Sequence, residues 1–185
     1  MKQEDKLSQK DSEKLTRLYE KYKTMLFNTA NKILKDRHLA EDAVHKTFEK
    51  IIKLLNRIDE SNEGKTKKFL YIICRNVALD TINKNKNITP HSDFIDLIDA
   101  EGFTGDTEIE DPSNILIVKD SVRRITAMID KLPIIYRDVM YLEYYYGYKK
   151  KEIADLFNVS YDTIKKRHER AKKKLAQILR EEEMI

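Results

Sequence analysis

The residues best suited to chemistry are the lysines and arginines of residues 148–175. They alternate with apolar residues in the sequence YKKKEIADLFNVSYDTIKKRHERAKKKL, which is interrupted by Asn158, Val159 and Ser160. Such cations bind nucleic-acid phosphates, and on the exposed face of a helix they also reach the edges of bases. This segment therefore predicts DNA binding rather than the making or breaking of bonds.

The break in this segment predicts a helix-turn-helix. Asn158 tolerates the left-handed backbone that a chain reversal needs, and Ser160 can cap the following helix. Within that helix, Ile164, His168 and Ala171 fall on the inward side. The positions expected to contact DNA are Ser160, Tyr161, Asp162, Thr163, Lys165, Lys166, Arg167, Glu169, Arg170 and Lys173. Two alternatives stay open on this pattern alone: an amphipathic helix pair whose lysines only solvate its surface, and an activator that binds DNA as a dimer.

Residues that could support catalysis do not converge. Glu41 and Asp42 are adjacent, so on a helix their carboxylates point in different directions and cannot act as an acid–base pair. The four histidines are scattered and lack paired cysteines or another zinc-binding spacing. Cys74, the single cysteine, lies in the apolar run FLYIICRNVAL and is expected in the core. We expect no enzyme activity, no metal and no cofactor.

Size and hydropathy indicate a folded protein outside the membrane. The chain has 185 residues, of which 41% are hydrophobic, enough for one compact domain or two small ones. It has no window of eighteen apolar residues, and its first residues are charged where a signal peptide would be apolar. We expect a cytoplasmic protein without membrane insertion.

Charge divides the chain into three parts. Residues 1–87 carry 20 basic and 13 acidic side chains, residues 88–118 carry none and 8, and residues 119–185 carry 16 and 11. The acidic part also contains Pro90, Gly102, Gly105 and Pro112, which favour irregular structure. The prediction is two basic modules, residues 1–87 and 118–185, joined by a flexible acidic linker at 88–117.

Apolar periodicity predicts an all-α fold. Three amphipathic stripes precede the linker, and because none can bury its apolar face alone, they indicate an N-terminal helical bundle. After the linker we expect helices at residues 118–132, 134–145, 150–157 and from Ser160 to about residue 180. These form a small four-helix domain that contains the helix-turn-helix.

Residues 132–175 resemble region 4 of bacterial sigma factors. The similarity begins at Leu132-Pro133, continues through Gly147 and Glu152-Ile153-Ala154, and closes with Arg170-Ala171 and Leu175. Three positions depart from the family pattern: Lys149 replaces a capping serine, Asn158 replaces a turn glycine, and His168 takes an apolar position. The resemblance implies that this module binds the minus-thirty-five promoter element.

Two N-terminal segments resemble region 2 of the extracytoplasmic-function group of sigma factors. They are KDRHLAEDAVHKTFEKIIKLL, residues 35–55, and KFLYIICRNVALDTINKNK, residues 68–86. The region 2 and region 4 blocks thus occur in the family order, with the linker and no third domain between them. The resemblance therefore identifies the chain as a member of this group, a transcription initiation factor.

The resemblance also implies partners and contact residues. Core RNA polymerase would be bound by the second helix, through Glu41, Asp42, Val44, His45 and Phe48. The minus-ten element would be opened and held by Lys67, Lys68, Phe69, Arg75, Asn76, Asp80 and Lys84, with the loop at residues 59–68 as a pocket wall. For Phe48 and Phe69 a place in the core is the alternative interpretation. Members of the group are commonly held inactive by an anti-sigma factor, which the resemblance adds to promoter DNA and polymerase as a partner.

Overall fold

The computed structural model describes residues 7–85 and 120–183, and the chain divides into two compact units, Met1–Asn87 and Ile88–Ile185. Every regular element within the described ranges is helical, which confirms the predicted all-α class. The acidic linker predicted for residues 88–117 lies outside the described residues.

The N-terminal unit is a bundle of three long helices. They are α1 (Gln9–Leu34), α2 (Arg37–Ile52) and α3 (Glu63–Asn85), and a short 3-10 turn (Leu55–Arg57) follows α2. Each of the three helices packs against the other two. The bundle that the apolar stripes predict is therefore present.

Polar caps set the limits of α1 and α2. Ser8 Oγ accepts the backbone N–H of Asp11 at 3.1 Å and begins α1. Lys35 ends that helix in the left-handed conformation, with φ at 52°. Asp36 then begins α2, because its carboxylate accepts the N–H of Leu39 at 2.9 Å. These caps satisfy backbone groups that a helix end leaves without partners.

The core of the N-terminal unit is centred on α3. Apolar residues of all three helices are buried there: Leu18, Tyr22, Leu26 and Ala30 of α1, Ala40, Ala43, Val44, Phe48 and Ile51 of α2, and Phe69, Leu70, Ile72, Ile73, Cys74, Val77 and Ala78 of α3. Residues 69–75 of α3 are buried on every side, because α1 and α2 both cover this stretch. Residues 69–75 are therefore part of the core of this unit.

The C-terminal unit contains four helices in its described part. They are α4 (Asp120–Asp130), α5 (Ile134–Met140), α6 (Lys150–Phe157) and α7 (Tyr161–Glu183). A π-helical turn, Tyr141–Tyr145, extends α5, and within it the N–H of Tyr146 bonds the carbonyl of Tyr141 at 3.1 Å. The sequence predicts one continuous helix over 134–145, so the widened last turn is a difference from that expectation.

The turn between α6 and α7 has the predicted chemistry. Asn158 adopts the left-handed conformation, with φ at 54°. Ser160 Oγ accepts the N–H of Thr163 at 3.2 Å and caps α7. Both predictions are confirmed, and the short turn places α7 directly against α6.

The start of α6 is capped without the serine of the family pattern. Glu152 Oε2 accepts the backbone N–H of Lys149 at 2.7 Å, from inside the first turn of the helix. Gly147, just before it, has φ at 70°, which a residue with a side chain rarely adopts. Glu152 therefore makes one of the two hydrogen bonds of a capping box, the one to the backbone N–H of Lys149.

Candidate nucleic-acid interfaces

The outer face of α7 is an exposed, mainly basic surface. We use this name for the residues that share it, all of them exposed: Tyr161, Asp162, Lys165, Lys166, Glu169, Arg170 and Lys173. The opposite side of the helix is fixed by Ile164 and Ala171, both fully buried, and by His168, which is 8% exposed. The structure therefore aims one face of α7 at solvent as the spacing predicts.

Two further predicted contact residues lie at the start of α7. Ser160 is exposed, and its hydroxyl lies 2.8 Å from that of Thr163, which is half-buried. Both hydroxyls are engaged in capping the helix. Their geometry suits them to hold the helix end in place beside the outer face of α7.

Arg167 does not lie on the outer face of α7. Its side chain is half-buried, and burial lowers the pKa of its guanidinium, an effect opposed by the nearby carboxylate of Asp138 on α5. Asp138 is only 3% exposed, so the favourable interaction with Arg167 lies mostly inside the domain. The expected DNA contact of Arg167 stays a prediction, and its half-buried side chain lies near enough to α5 to feel the charge of Asp138.

Three of the residues predicted to contact the minus-ten element, all lysines, lie at least partly exposed on α3. Lys67 and Lys68 are half-buried near the start of the helix, and Lys84 is exposed near its end. Lys84 Nζ pairs with Asp80 at 2.8 Å, one turn away. Burial lowers the pKa of Lys50 on α2, and Asp80 opposes that shift, so Asp80 also faces α2.

Phe69 and Arg75 lie in the core, each 3% exposed. The guanidinium carbon of Arg75 lies 5.1 Å from the ring centroid of Tyr71, within cation–π range. Both side chains are covered within the bundle here, and their expected contacts with DNA stay predictions. Asn76 is half-buried, and its side-chain amide donates to the carbonyl of Ile72 at 2.8 Å.

The loop between the 3-10 turn and α3 is held by its own side chains. Asp59 Oδ1 accepts the N–H and the hydroxyl of Ser61, at 3.0 and 2.6 Å, and these bonds lower the pKa of Asp59. Asn62 Oδ1 accepts the N–H of Lys65 at 2.9 Å and caps α3. Thr66 Oγ1, nearly buried, donates to the carbonyl of Asp59 at 2.8 Å. This polar segment is therefore a defined turn that leads into α3.

The predicted polymerase-binding residues of α2 divide into two groups. Asp42 and His45 are exposed and Glu41 is half-exposed, paired with Arg37 at 3.0 Å. Val44 and Phe48 are buried, at 5% and 6% exposed, and the Phe48 ring packs on Tyr19 with centroids 5.0 Å apart. The face thus offers polar and charged groups, while its expected apolar part is mostly turned into the bundle.

A groove of about 450 Å³ runs between α1 and α2 beside this face. Its lining includes Leu15, Tyr19 and Ile52, with His45 and Glu49 along one side. Phe48 reaches the wall of the groove from within the bundle. An apolar floor with charged edges suits the docking of a partner helix.

No group of three or more His, Cys, Asp or Glu within residues 7–85 and 120–183 is placed to hold a metal ion. Cys74 is fully buried, with Sγ 3.3 Å from the carbonyl oxygen of Leu26, and burial raises the pKa of its thiol to about 11. No helix among the described elements is long and apolar enough to span a membrane.

Comparison with known proteins gives two family matches, one in each unit. Residues 18–88 match Sigma-70 region 2, and residues 122–175 match Sigma-70, region 4. The chain is 28% identical over 158 residues to the ECF RNA polymerase sigma factor SigM of Bacillus subtilis (strain 168), covering 85% of this chain and 90% of SigM. It is 30% identical over 148 residues to the RNA polymerase sigma factor SigZ of the same organism, covering 78% of this chain and 74% of SigZ. It is 26% identical over 175 residues to the ECF RNA polymerase sigma factor SigX of the same organism, covering 90% of this chain and 86% of SigX.

Proposed function

The chain belongs to the extracytoplasmic-function group of the sigma-70 family, and we propose that it directs core RNA polymerase to promoters by binding two DNA elements. In this proposal the outer face of α7 binds the minus-thirty-five element. The start of α3 and the loop before it bind the minus-ten element and help to open it. The nucleotide chemistry belongs to the polymerase.

The exposed outer face of α7 is the observation that carries the proposal. Its cations can bind phosphates, and Lys166, Glu169 and Arg170 extend far enough from the helix to meet base edges in a major groove. Ile164 and His168 hold the helix against α5 and α6 from behind. The surface is therefore rigid, basic and unobstructed in the described part of the unit.

The minus-ten part of the proposal rests on a smaller set than the sequence predicts. Lys67 and Lys68 lie near the start of α3 and Lys84 near its end, while Asn76 and Asp80 lie one turn apart between them. Phe69 and Arg75 support this surface from inside the bundle. Base capture would then depend on the defined turn at residues 59–62 and on the polar groups near it.

We assign polymerase binding to the exposed part of α2, namely Glu41, Asp42 and His45, and to the groove beside it. A cytoplasmic location and regulation by an anti-sigma factor are included in the proposal on family likeness alone. Affinity purification of the protein from cells grown with and without a range of stresses tests the anti-sigma factor. A second protein that is bound in unstressed cells and released under one of the stresses supports it.

A mobility-shift experiment tests the proposed function. Promoter DNA is mixed with the purified protein alone, with core polymerase alone, and with both. We expect a specific, heparin-resistant complex only when both are present, because one short recognition helix reads few bases. A tight, specific band with the protein alone on palindromic DNA would instead indicate the dimeric activator.

A further inference from the structure

We infer that three basic residues of α1 position the loop that the proposed function assigns to the minus-ten element, an inference that rests on that function. We call Lys14, Arg17 and Lys21 the α1 basic row. Their partners lie at both ends of the 3-10 turn, in the loop and in the first turn of α3.

Lys14 binds the backbone at the entrance of the loop. Its Nζ donates to the carbonyl of Leu55 at 2.7 Å and to that of Ile58 at 2.5 Å. These carbonyls belong to the first residue of the short turn and to the residue that follows it. A half-buried ammonium thus binds both ends of the turn at the entrance of the loop.

Arg17 and Lys21 bind side chains farther along the same path. Arg17 forms a forked pair with Glu60, with Nε 3.1 Å from Oε1 and Nη2 2.9 Å from Oε2. Lys21 Nζ lies 3.1 Å from Glu63 Oε2. The hydrogen bond to Arg17 lowers the pKa of Glu60, so the carboxylate is ionised wherever the protein is folded near neutral pH.

The three contacts are in register. Residues 14, 17 and 21 lie on one face of α1 and span about 10 Å of it, at about 1.5 Å per residue. Their partners follow in the same order along the chain, from Leu55 and Ile58 through Glu60 to Glu63. The row therefore fixes the direction of the loop and not only its distance from α1.

This arrangement gives the row a positioning role. Its cations already bind acceptors within the protein, so they stabilise the loop instead of offering themselves to phosphate. Holding an unpaired base requires groups placed within about 0.5 Å, and a loop held at one end only does not provide that. The bonds within the loop, at Asp59 and Asn62, set its shape, and the α1 basic row sets its place.

The test exchanges the charges of one pair in the full chain. Arg17→Glu, Glu60→Arg and the double variant are combined with core polymerase, and promoter opening is followed by 2-aminopurine fluorescence in the minus-ten element. Core binding and thermal unfolding are measured in parallel. Lys32→Glu, an exposed change of the same charge about 22 Å further along α1, is the control.

Each single reversal is expected to slow opening about two- to fivefold, the range for an exposed ion pair, with core binding and unfolding temperature unchanged. The double variant is expected to recover most of the loss, and Lys32→Glu to open like the unaltered protein. Unchanged opening in both single variants, an equal loss of core binding, or no recovery in the double variant would overturn the inference. If the unaltered protein opens no promoter, the proposed function fails and the inference with it.

Discussion

The Glu143 carboxylate lies 3.1 Å from the imidazole of His168, measured from Oε2 to Nε2. Its other oxygen binds Lys150 Nζ, and the Tyr144 hydroxyl lies 3.1 Å from the same imidazole nitrogen. Glu143 belongs to the π-helical turn after α5, Lys150 begins α6 and His168 is in the middle of α7. One carboxylate therefore connects the two helices of the helix-turn-helix to the π-helical turn that precedes them.

This cluster predicts a pH-dependent stability of the C-terminal unit. Burial lowers the pKa of the His168 imidazole. The charges of Glu143 and Glu169 oppose this shift, whereas those of Lys150 and Lys172 add to it. The unfolded chain, with an ordinary histidine pKa of about 6.5, then binds this proton more readily than the folded protein. The free energy of unfolding should fall as the pH drops from about 6.5 to the folded pKa, and the contribution should be constant above 6.5.

Urea unfolding, followed by NMR signals of α7 at several pH values, measures this effect. His168→Gln should reduce the fall in the free energy of unfolding below pH 6.5. The reduction is about 1.4 kcal/mol for each unit by which folding lowers the pKa of His168. His38→Gln, at an exposed histidine of α2, is the matched control. An unchanged slope in His168→Gln would contradict the role given to this imidazole.

Lys166→Ala and Arg170→Ala are expected to weaken promoter binding without weakening core binding. Both residues lie on the outer face of α7 and have no role in the core. A lost base contact costs about 1–3 kcal/mol of binding free energy. A lost phosphate contact instead reduces the slope of the logarithm of the binding constant against the logarithm of the salt concentration by about one. Titrations of holoenzyme at several salt concentrations distinguish the two. Gln177→Ala, exposed two turns further along α7, should bind like the unaltered protein, and a parallel loss of core binding would count against this assignment.

Arg167→Ala should behave differently from its neighbours. The change removes a favourable charge from beside the buried Asp138, so we expect a destabilisation of about 1–3 kcal/mol in urea unfolding. Lys166→Ala, one residue away and exposed, should change stability by less than about 0.5 kcal/mol. If Arg167→Ala is as stable as Lys166→Ala and loses promoter affinity instead, Arg167 belongs to the DNA interface after all.

The Cys74 thiol should be unreactive in the folded protein. It is fully buried with a pKa raised to about 11, so both access and thiolate formation are suppressed at pH 8. A colorimetric thiol reagent should react only when urea unfolds the N-terminal unit. Complete reaction of the native protein within seconds would show that α3 opens readily at this point.

The fold was predictable where local signals are strong. The Ser160 cap, the left-handed Asn158 and the limits of α6 all follow from residue types over short stretches. The burial of Phe69, Arg75 and Arg167 could not be predicted from the sequence, because it depends on which neighbouring helices cover each face of their own helix. Polarity suggested an exposed arginine, but the structure places Arg75 over Tyr71 and Arg167 toward Asp138.

The α1 basic row was also missed, for a related reason. Lys14 and its backbone acceptors are more than forty residues apart, as are Arg17 and Glu60. Apolar periodicity orients a helix toward the core but does not match individual charges across elements. The regular spacing of Lys14, Arg17 and Lys21 on one face of α1 was the only local signal.

Reconstituted transcription tests the central claim most directly. Purified core polymerase is incubated with the protein and with fragmented DNA from the source genome, and the initiated transcripts are sequenced. The account predicts start sites that depend on the protein, share two upstream sequence elements, and lose activity together when Lys166 and Arg170 are both replaced by alanine. A protein that binds core polymerase but yields no dependent start site would contradict it.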